Sequence, residues 1–154
     1  MGLRRQTFAV VIDEADHISR KSDLMESIRD FSDMGDIVFV LVGMGRIRDN
    51  LTAFPQVASR IAQYVRFEQA STDDVRAFYD GICEVPVADD VVEFTHRVTG
   101  GYNREVMEAL ATVERVGKRN AASEGQPVRL ATLAGQPIVN DRRTGAPIIV
   151  PGAL

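Results

Sequence analysis

A chain of 154 residues is long enough to bury one full-sized core, or parts of two small ones. Its 26% charged and 45% apolar content is that of an ordinary globular protein, and its net charge of -4 excludes an overall basic surface built for nucleic acid, leaving only local basic patches. The lone cysteine, Cys83, excludes an internal disulfide, and no apolar run is long enough to span a bilayer, so a reducing, cytoplasmic setting without membrane contact is the expectation.

Residues 7–12, Thr-Phe-Ala-Val-Val-Ile, form a β-branched apolar run without alternation. That pattern predicts a strand buried on both faces of a parallel sheet. The polar cluster Asp13-Glu14-Ala15-Asp16 follows at the strand's carboxyl end, the edge at which open α/β sheets bind ligands. Leu24, Ile28 and Phe31 share one face of a helix expected over residues 22–31, with Gly35 near its end. A second buried strand is predicted at residues 37–42, before Gly43-Met44-Gly45, and strand–helix–strand order implies a parallel crossover. An arginine-rich stretch and Phe54-Pro55 lead to Ser59-Arg60-Ile61, and Tyr64-Val65-Arg66-Phe67 is predicted as a third strand. Met25, Met34 and Met44 read as core or edge packing.

From Ser71 the pattern changes to helices. Ser71 is an N-cap, and Asp73 and Asp74 suit the positive end of a helix dipole. Val75, Phe78, Tyr79 and Ile82 mark one helix; Val91, Phe94 and Val98 mark a second, ended by Gly100-Gly101; Val106, Leu110, Val113 and Val116 mark a long third. From Ala121 the composition shifts to Gly, Pro, Ser and Gln. Residues 137–139 and 148–150 suit either a marginal hairpin or a mobile tail. The organisation read from this pass is a partial parallel-sheet α/β core over residues 1–70 (strands near 7–13, 37–43 and 64–67), a three-helix subdomain over 71–120 and a tail over 121–154.

An apolar strand ending in Asp13-Glu14, a helix, a second strand, Arg60, and then Gly100-Gly101-Tyr102-Asn103-Arg104 between two helices resembles the succession in AAA+ P-loop ATPases from Walker B to the helical lid. The resemblance covers roughly residues 7–118 and implies ATP and Mg²⁺ as cofactors. It makes Asp13 the Mg²⁺ ligand, Glu14 the general base that activates water, Arg60 an arginine finger acting on a neighbouring subunit's nucleotide, and Arg104 a sensor-2 residue facing nucleotide from the lid. The strand-end Val-Gly, Ser-Arg-Ile and Gly-Gly-x-x-Arg features are similar to those of transposition helpers of the Mu B and TniB type, with origin-recognition ATPases alike at this level. That similarity implies a DNA-binding homo-oligomer that delivers target DNA to a transposase. The string Asp13-Glu14-Ala15-Asp16 is shared with DEAD-box helicases, but the second strand ends in Gly43-Met44-Gly45 rather than Ser-Ala-Thr, and no second RecA-like half follows.

Two departures stand against the family pattern. The sequence contains no G-x-x-x-x-G-K-[ST] loop to cradle the β- and γ-phosphates, so a fragment of a longer ATPase, inactive alone, is expected. The second strand also ends without the polar sensor-1 side chain, and Asn50 lies further along. Without the phosphate-loop strand the third strand lacks its neighbour, and open sheet edges imply a marginally stable, sticky chain. The alternative is a non-catalytic AAA+-like module that docks on a complete ATPase and offers Arg60 across the interface. A third possibility is nucleic-acid binding through basic patches at Arg46, Arg48, Arg115, Lys118 and Arg119. His17 and His96 read as surface and structural residues respectively.

Overall fold

Two short strands open the described chain. β1 (Ala9–Ile12) and β2 (Val38–Leu41) pair in parallel, with Val10 opposite Phe39 and Ile12 opposite Leu41. The computed structural model describes residues 8–120 and 125–152, so Thr7, the predicted start of the first strand, and Ala121, where composition shifts, lie outside the described residues. The chain divides between Arg66 and Phe67 into two compact units.

In the first unit, α1 (Ser22–Gly35) makes the crossover between the strands. Met25 is fully buried and packs with Leu51 and Val57, and Ile28 and Leu41 join this small core. The helix ends at Gly35, as expected, and Asp36 after it takes the left-handed conformation at φ 51. Two helical turns follow, α2 (Ile47–Leu51) and α3 (Pro55–Ala58). Pro55 opens α3, where its fixed φ suits the first turn and its missing N–H costs nothing.

The strands depart from expectation in burial. Phe8 is 65% exposed, Val11 63% and Val40 43%, so neither strand is covered on both faces. The apolar run dictated the extended conformation, but burial needs covering elements that the described residues do not supply. The predicted third strand, Tyr64 to Phe67, does not form: residues 61–71 carry neither helix nor strand. A strand exists through its ladder partner, and no described segment pairs there. Tyr64 instead lies under the Arg48 guanidinium, 5.1 Å from the ring centroid. Met34 and Met44 are likewise exposed rather than packed, and of the three methionines only Met25 belongs to the core.

Uncovered apolar faces on an open two-stranded sheet are adhesive. The chain is expected to self-associate with rising concentration in sedimentation. Val11 and Val40 are register partners, and a lysine at either is expected to weaken that association on the order of ten-fold, by placing a charge where apolar contact forms. Equal sedimentation of Val11→Lys and the parent at every concentration would remove the sheet from the explanation.

The second unit contains α4 (Thr72–Ile82), α5 (Asp89–Thr99) and α6 (Asn103–Arg119). A capping box starts α4: the Asp74 N–H donates to Ser71 Oγ at 3.1 Å, and the Ser71 N–H donates to Asp74 Oδ2 at 2.9 Å. Val75, Tyr79, Val91, Phe94, Val106, Leu110 and Val113 meet in one core. Tyr79 and Thr95 share a buried hydrogen bond of 2.9 Å, and burial pushes the Tyr79 hydroxyl up to about 12. Gly117 is the small residue that lets α6 approach its neighbours, since a Cβ there would lie 2.8 Å from Val128 and 2.9 Å from Val85.

Of the two readings of the tail, the structure takes the hairpin. β3 (Pro137–Asn140) and β4 (Pro147–Ile149) pair antiparallel after a 3₁₀ turn at Leu130–Leu133. Leu133, Ile138, Val139 and Val150 are buried in the core with the helices, which is why this Gly- and Pro-rich segment holds a defined fold. At its tip, Arg142 stacks 3.3 Å above the Tyr102 ring and donates from Nε and Nη2 to the two Glu105 oxygens at 2.8 and 3.0 Å. Among the described residues, no helix is long and apolar enough to cross a membrane.

Candidate functional site

β1 delivers its last apolar residue, Ile12, to the sheet's carboxyl edge, and the chain turns sharply there. Asp13 accepts the Glu14 N–H on Oδ1 at 2.7 Å, and its other carboxylate oxygen has no partner among the described residues. Glu14 stands at φ 51, ψ 35, in the left-handed region. For a non-glycine residue this costs roughly 1–2 kcal/mol. A 3₁₀ turn, Ala15–His17, follows immediately.

Several bonds fasten this acidic turn to the end of β2. The Val42 N–H donates to the Ile12 carbonyl at 2.8 Å, and the Ala15 N–H donates to the Val42 carbonyl at 2.8 Å. Asp16 Oδ2 accepts the Met44 N–H. Buried Ser19 donates its hydroxyl to the Asp16 carbonyl at 3.1 Å and accepts from the Asn50 amide at 2.8 Å. These contacts enclose one side of a cleft of about 560 Å³, lined by Asp16, His17, Arg20, Met44, Arg46 and Asn50. Asp16 Oδ1 is buried without a hydrogen-bond partner. Both Asp13 and Glu14 are exposed; His17 Nε2 lies 3.7 Å from Glu14 Oε2, close enough to interact only when the imidazole is protonated.

The sequence-selected arginines are placed differently. Arg60, just after α3, is turned onto α1 of its own chain. Its Nε donates to both Asp33 oxygens at 2.9 and 3.0 Å, and Nη2 lies 2.7 Å from Oδ2. The Arg60 hydrogen bonds hold the Asp33 carboxyl below its ordinary range. Both partners are about half exposed, so the pair is screened by solvent and is easily exchanged for another anion.

Arg104 belongs to the second unit, in the first turn of α6. It is exposed and makes no ion pair among the described residues. Its approach is fixed by the turn before it. Gly100 and Gly101 have φ 61 and φ 74, the Ala70 N–H donates to the Gly101 carbonyl at 2.7 Å, and the Gly101 N–H donates to Thr99 Oγ1 at 3.2 Å. Of the basic-patch residues, Lys118 is taken up by Glu84 at 2.7 Å and by Glu114, and Arg48 by Tyr64.

The structure ties Asp16 to Met44 and, through Ser19, to Asn50; Asp13 and Glu14 adjoin this group in the chain but do not line the cleft, and Arg60 pairs with Asp33. From the sequence Asp16 reads only as a member of the acidic cluster with no role of its own, Ser19 carries no signal, and Asn50 lies too far along. Their link spans 28 residues from Asp16 to Met44 and 31 from Ser19 to Asn50, with no local pattern to announce it. Among the described residues, no group of three or more His, Cys, Asp or Glu side chains is placed to hold a metal ion, and Asp13 stands at the sheet edge with one oxygen engaged by the Glu14 N–H. No family model, curated protein or solved structure matches the chain.

Proposed function

We propose that this chain forms the Walker B to lid portion of an AAA+ ATPase, of the kind that binds DNA as an oligomer and recruits it to a transposase. The observation that carries this reading is the strained acidic turn. Asp13 and Glu14 stand at the carboxyl edge of a parallel strand, with Glu14 in a left-handed conformation that the bonds to β2 maintain. Strain of that kind persists where surrounding structure over-determines it, and it concentrates at functional sites.

In this reading Asp13 would hold Mg²⁺, which supplies charge neutralisation for phosphate oxygens when bound. Glu14 orients a water and takes its proton. Arg60 exchanges Asp33 for the γ-phosphate of a neighbouring subunit, where its charge stabilises the transition state. Arg104 senses nucleotide from the start of α6. The 154 residues hold no G-x-x-x-x-G-K-[ST], so this reading requires a phosphate cradle from elsewhere. DNA and a transposase as partners rest on the family resemblance alone.

The test is the coding sequence upstream of Met1. A continuous reading frame carrying G-x-x-x-x-G-K-[ST] one or two strand–helix units before Phe8 supports the reading. A stop codon directly before Met1 overturns it. The absence of the phosphate motif from the sequence favours a second reading, a non-catalytic module that presents Arg60 to a complete ATPase. That reading requires Arg60→Ala to abolish stimulation of the partner, and equal stimulation by the variant defeats it.

A further inference from the structure

We infer that Asp16 is a positioning residue that fixes the Asp13-Glu14 turn against the loop after β2, and that Gly43 is the residue its carboxylate requires. This rests on the ATPase reading for its role, but its geometry stands apart from it. The parallel strands β1 and β2 end side by side, so the loop after β2 brings the Met44 N–H beside the acidic turn. Asp16 spans the gap: it sits on the 3₁₀ turn directly after Glu14, and its Oδ2 accepts the Met44 N–H. One carboxylate thus joins the acidic turn to the segment that lacks a polar sensor side chain.

The match is steric as well as polar. A Cβ on Gly43 would fall inside contact distance of Asp16 Oδ2, 3.2 Å from its Cγ and 3.3 Å from its backbone nitrogen. The glycine is therefore explained by the close approach of Asp16, not by its own backbone dihedrals. Gly45, two residues on, has open space around its Cβ position and carries no such requirement. A second tie runs parallel to the first, from the Asp16 carbonyl through the buried Ser19 hydroxyl to Asn50 on α2.

The test is amide exchange and ¹H–¹⁵N chemical shifts in the intact chain. Loss of one hydrogen bond to a charged acceptor predicts Met44 amide exchange on the order of ten-fold faster in Asp16→Ala. The Asp13, Glu14 and Ala15 amide signals should move with it. Asp16→Asn, which keeps an acceptor oxygen and the side-chain shape, should restore most of both effects. Gly43→Ala should move the same signals, and its effect should shrink when combined with Asp16→Ala, because the clashing carboxylate is gone. Gly45→Ala should leave them in place.

Met44 exchange and turn signals unmoved in Asp16→Ala would overturn the inference, as would an undiminished Gly43→Ala effect in the double variant. Should Asp16→Ala fail to fold, the Gly43→Ala and Asp16→Asn arms still decide. None of these readouts involves nucleotide, so failure of the ATPase reading leaves them standing, and failure of the latch leaves the upstream phosphate motif to be judged by itself.

Discussion

Replacing Gly101 by alanine is expected to destabilise the helical unit by about 2–4 kcal/mol, against about 1 kcal/mol for the same change at Gly100. The two glycines are adjacent and both have positive φ, 61 and 74, so alanine meets the same left-handed penalty at each. Their surroundings separate them. A Cβ at Gly100 meets only the Tyr102 ring, at 3.8 Å, which is ordinary contact. A Cβ at Gly101 would sit inside contact distance of the Ala70 carbonyl oxygen and 3.0 Å from the Ala70 nitrogen. Relieving that clash breaks the 2.7 Å bond from the Ala70 N–H to the Gly101 carbonyl, leaving both groups in a largely buried turn.

Chemical denaturation followed by helical circular dichroism measures the difference. Exchange of α5 and α6 amides assigns the loss to this unit, since a chain with two units need not unfold in one step. Equal losses for the two variants would mean that the backbone conformation, and not the approach of Ala70, makes Gly101 necessary. The same turn leads into Arg104, so Gly101→Ala also displaces the residue assigned to sense nucleotide, and Gly100→Ala does so far less.

What the sequence made legible follows from which forces are local. Ser71 with Asp74, the apolar spacing from Val75 to Val113 and the glycine pair at 100–101 each act within a turn or two, and α4, α5 and α6 appear where those signals put them. Residues 64–67 show the opposite case. Tyr-Val-Arg-Phe has strand composition, but a strand is completed by a neighbour, and composition says nothing about whether one is present. The burial of β1 and β2 failed for the same reason. The hairpin at 137–149 is not decided by its own residues, because its stability comes from Leu133, Ile138 and Val150 packing on helices that end at Arg119 or earlier in the chain. At the site, the place of Asp13 and Glu14 at a strand's end was readable from the apolar run before them. The left-handed Glu14, the Asp16 tie to Met44 and the Arg60 pair with Asp33 are products of tertiary geometry. Arg60 is instructive: its resemblance to an arginine finger described an outward role, whereas the isolated chain gives it the nearest carboxylate.

Glu14→Gln carries the other large expected effect. In a protein that combines this chain with a phosphate loop, the substitution should lower kcat for ATP hydrolysis by roughly 10²–10⁴-fold, the usual worth of a positioned general base. Nucleotide affinity should change by no more than a few-fold, because Mg²⁺ is assigned to Asp13 and an uncharged side chain of the same shape leaves that carboxylate in place. The structure makes this a clean substitution. The Glu14 side chain is exposed, its one ionic neighbour among the described residues is His17 at 3.7 Å, and the bonds that hold the turn come from the backbone and from Asp16. A fall in rate therefore reports chemistry and not unfolding, and an unchanged denaturation midpoint verifies it. Asp13→Asn should behave differently, with Mg²⁺-dependent nucleotide binding lost along with turnover. Full activity in Glu14→Gln would remove the residue from the base role and return the strained turn to a purely architectural one. The 154-residue chain alone should show no turnover. Robust hydrolysis by it that disappears in Glu14→Gln would keep Glu14 as the base and overturn the assignment of the phosphate cradle to residues outside this sequence.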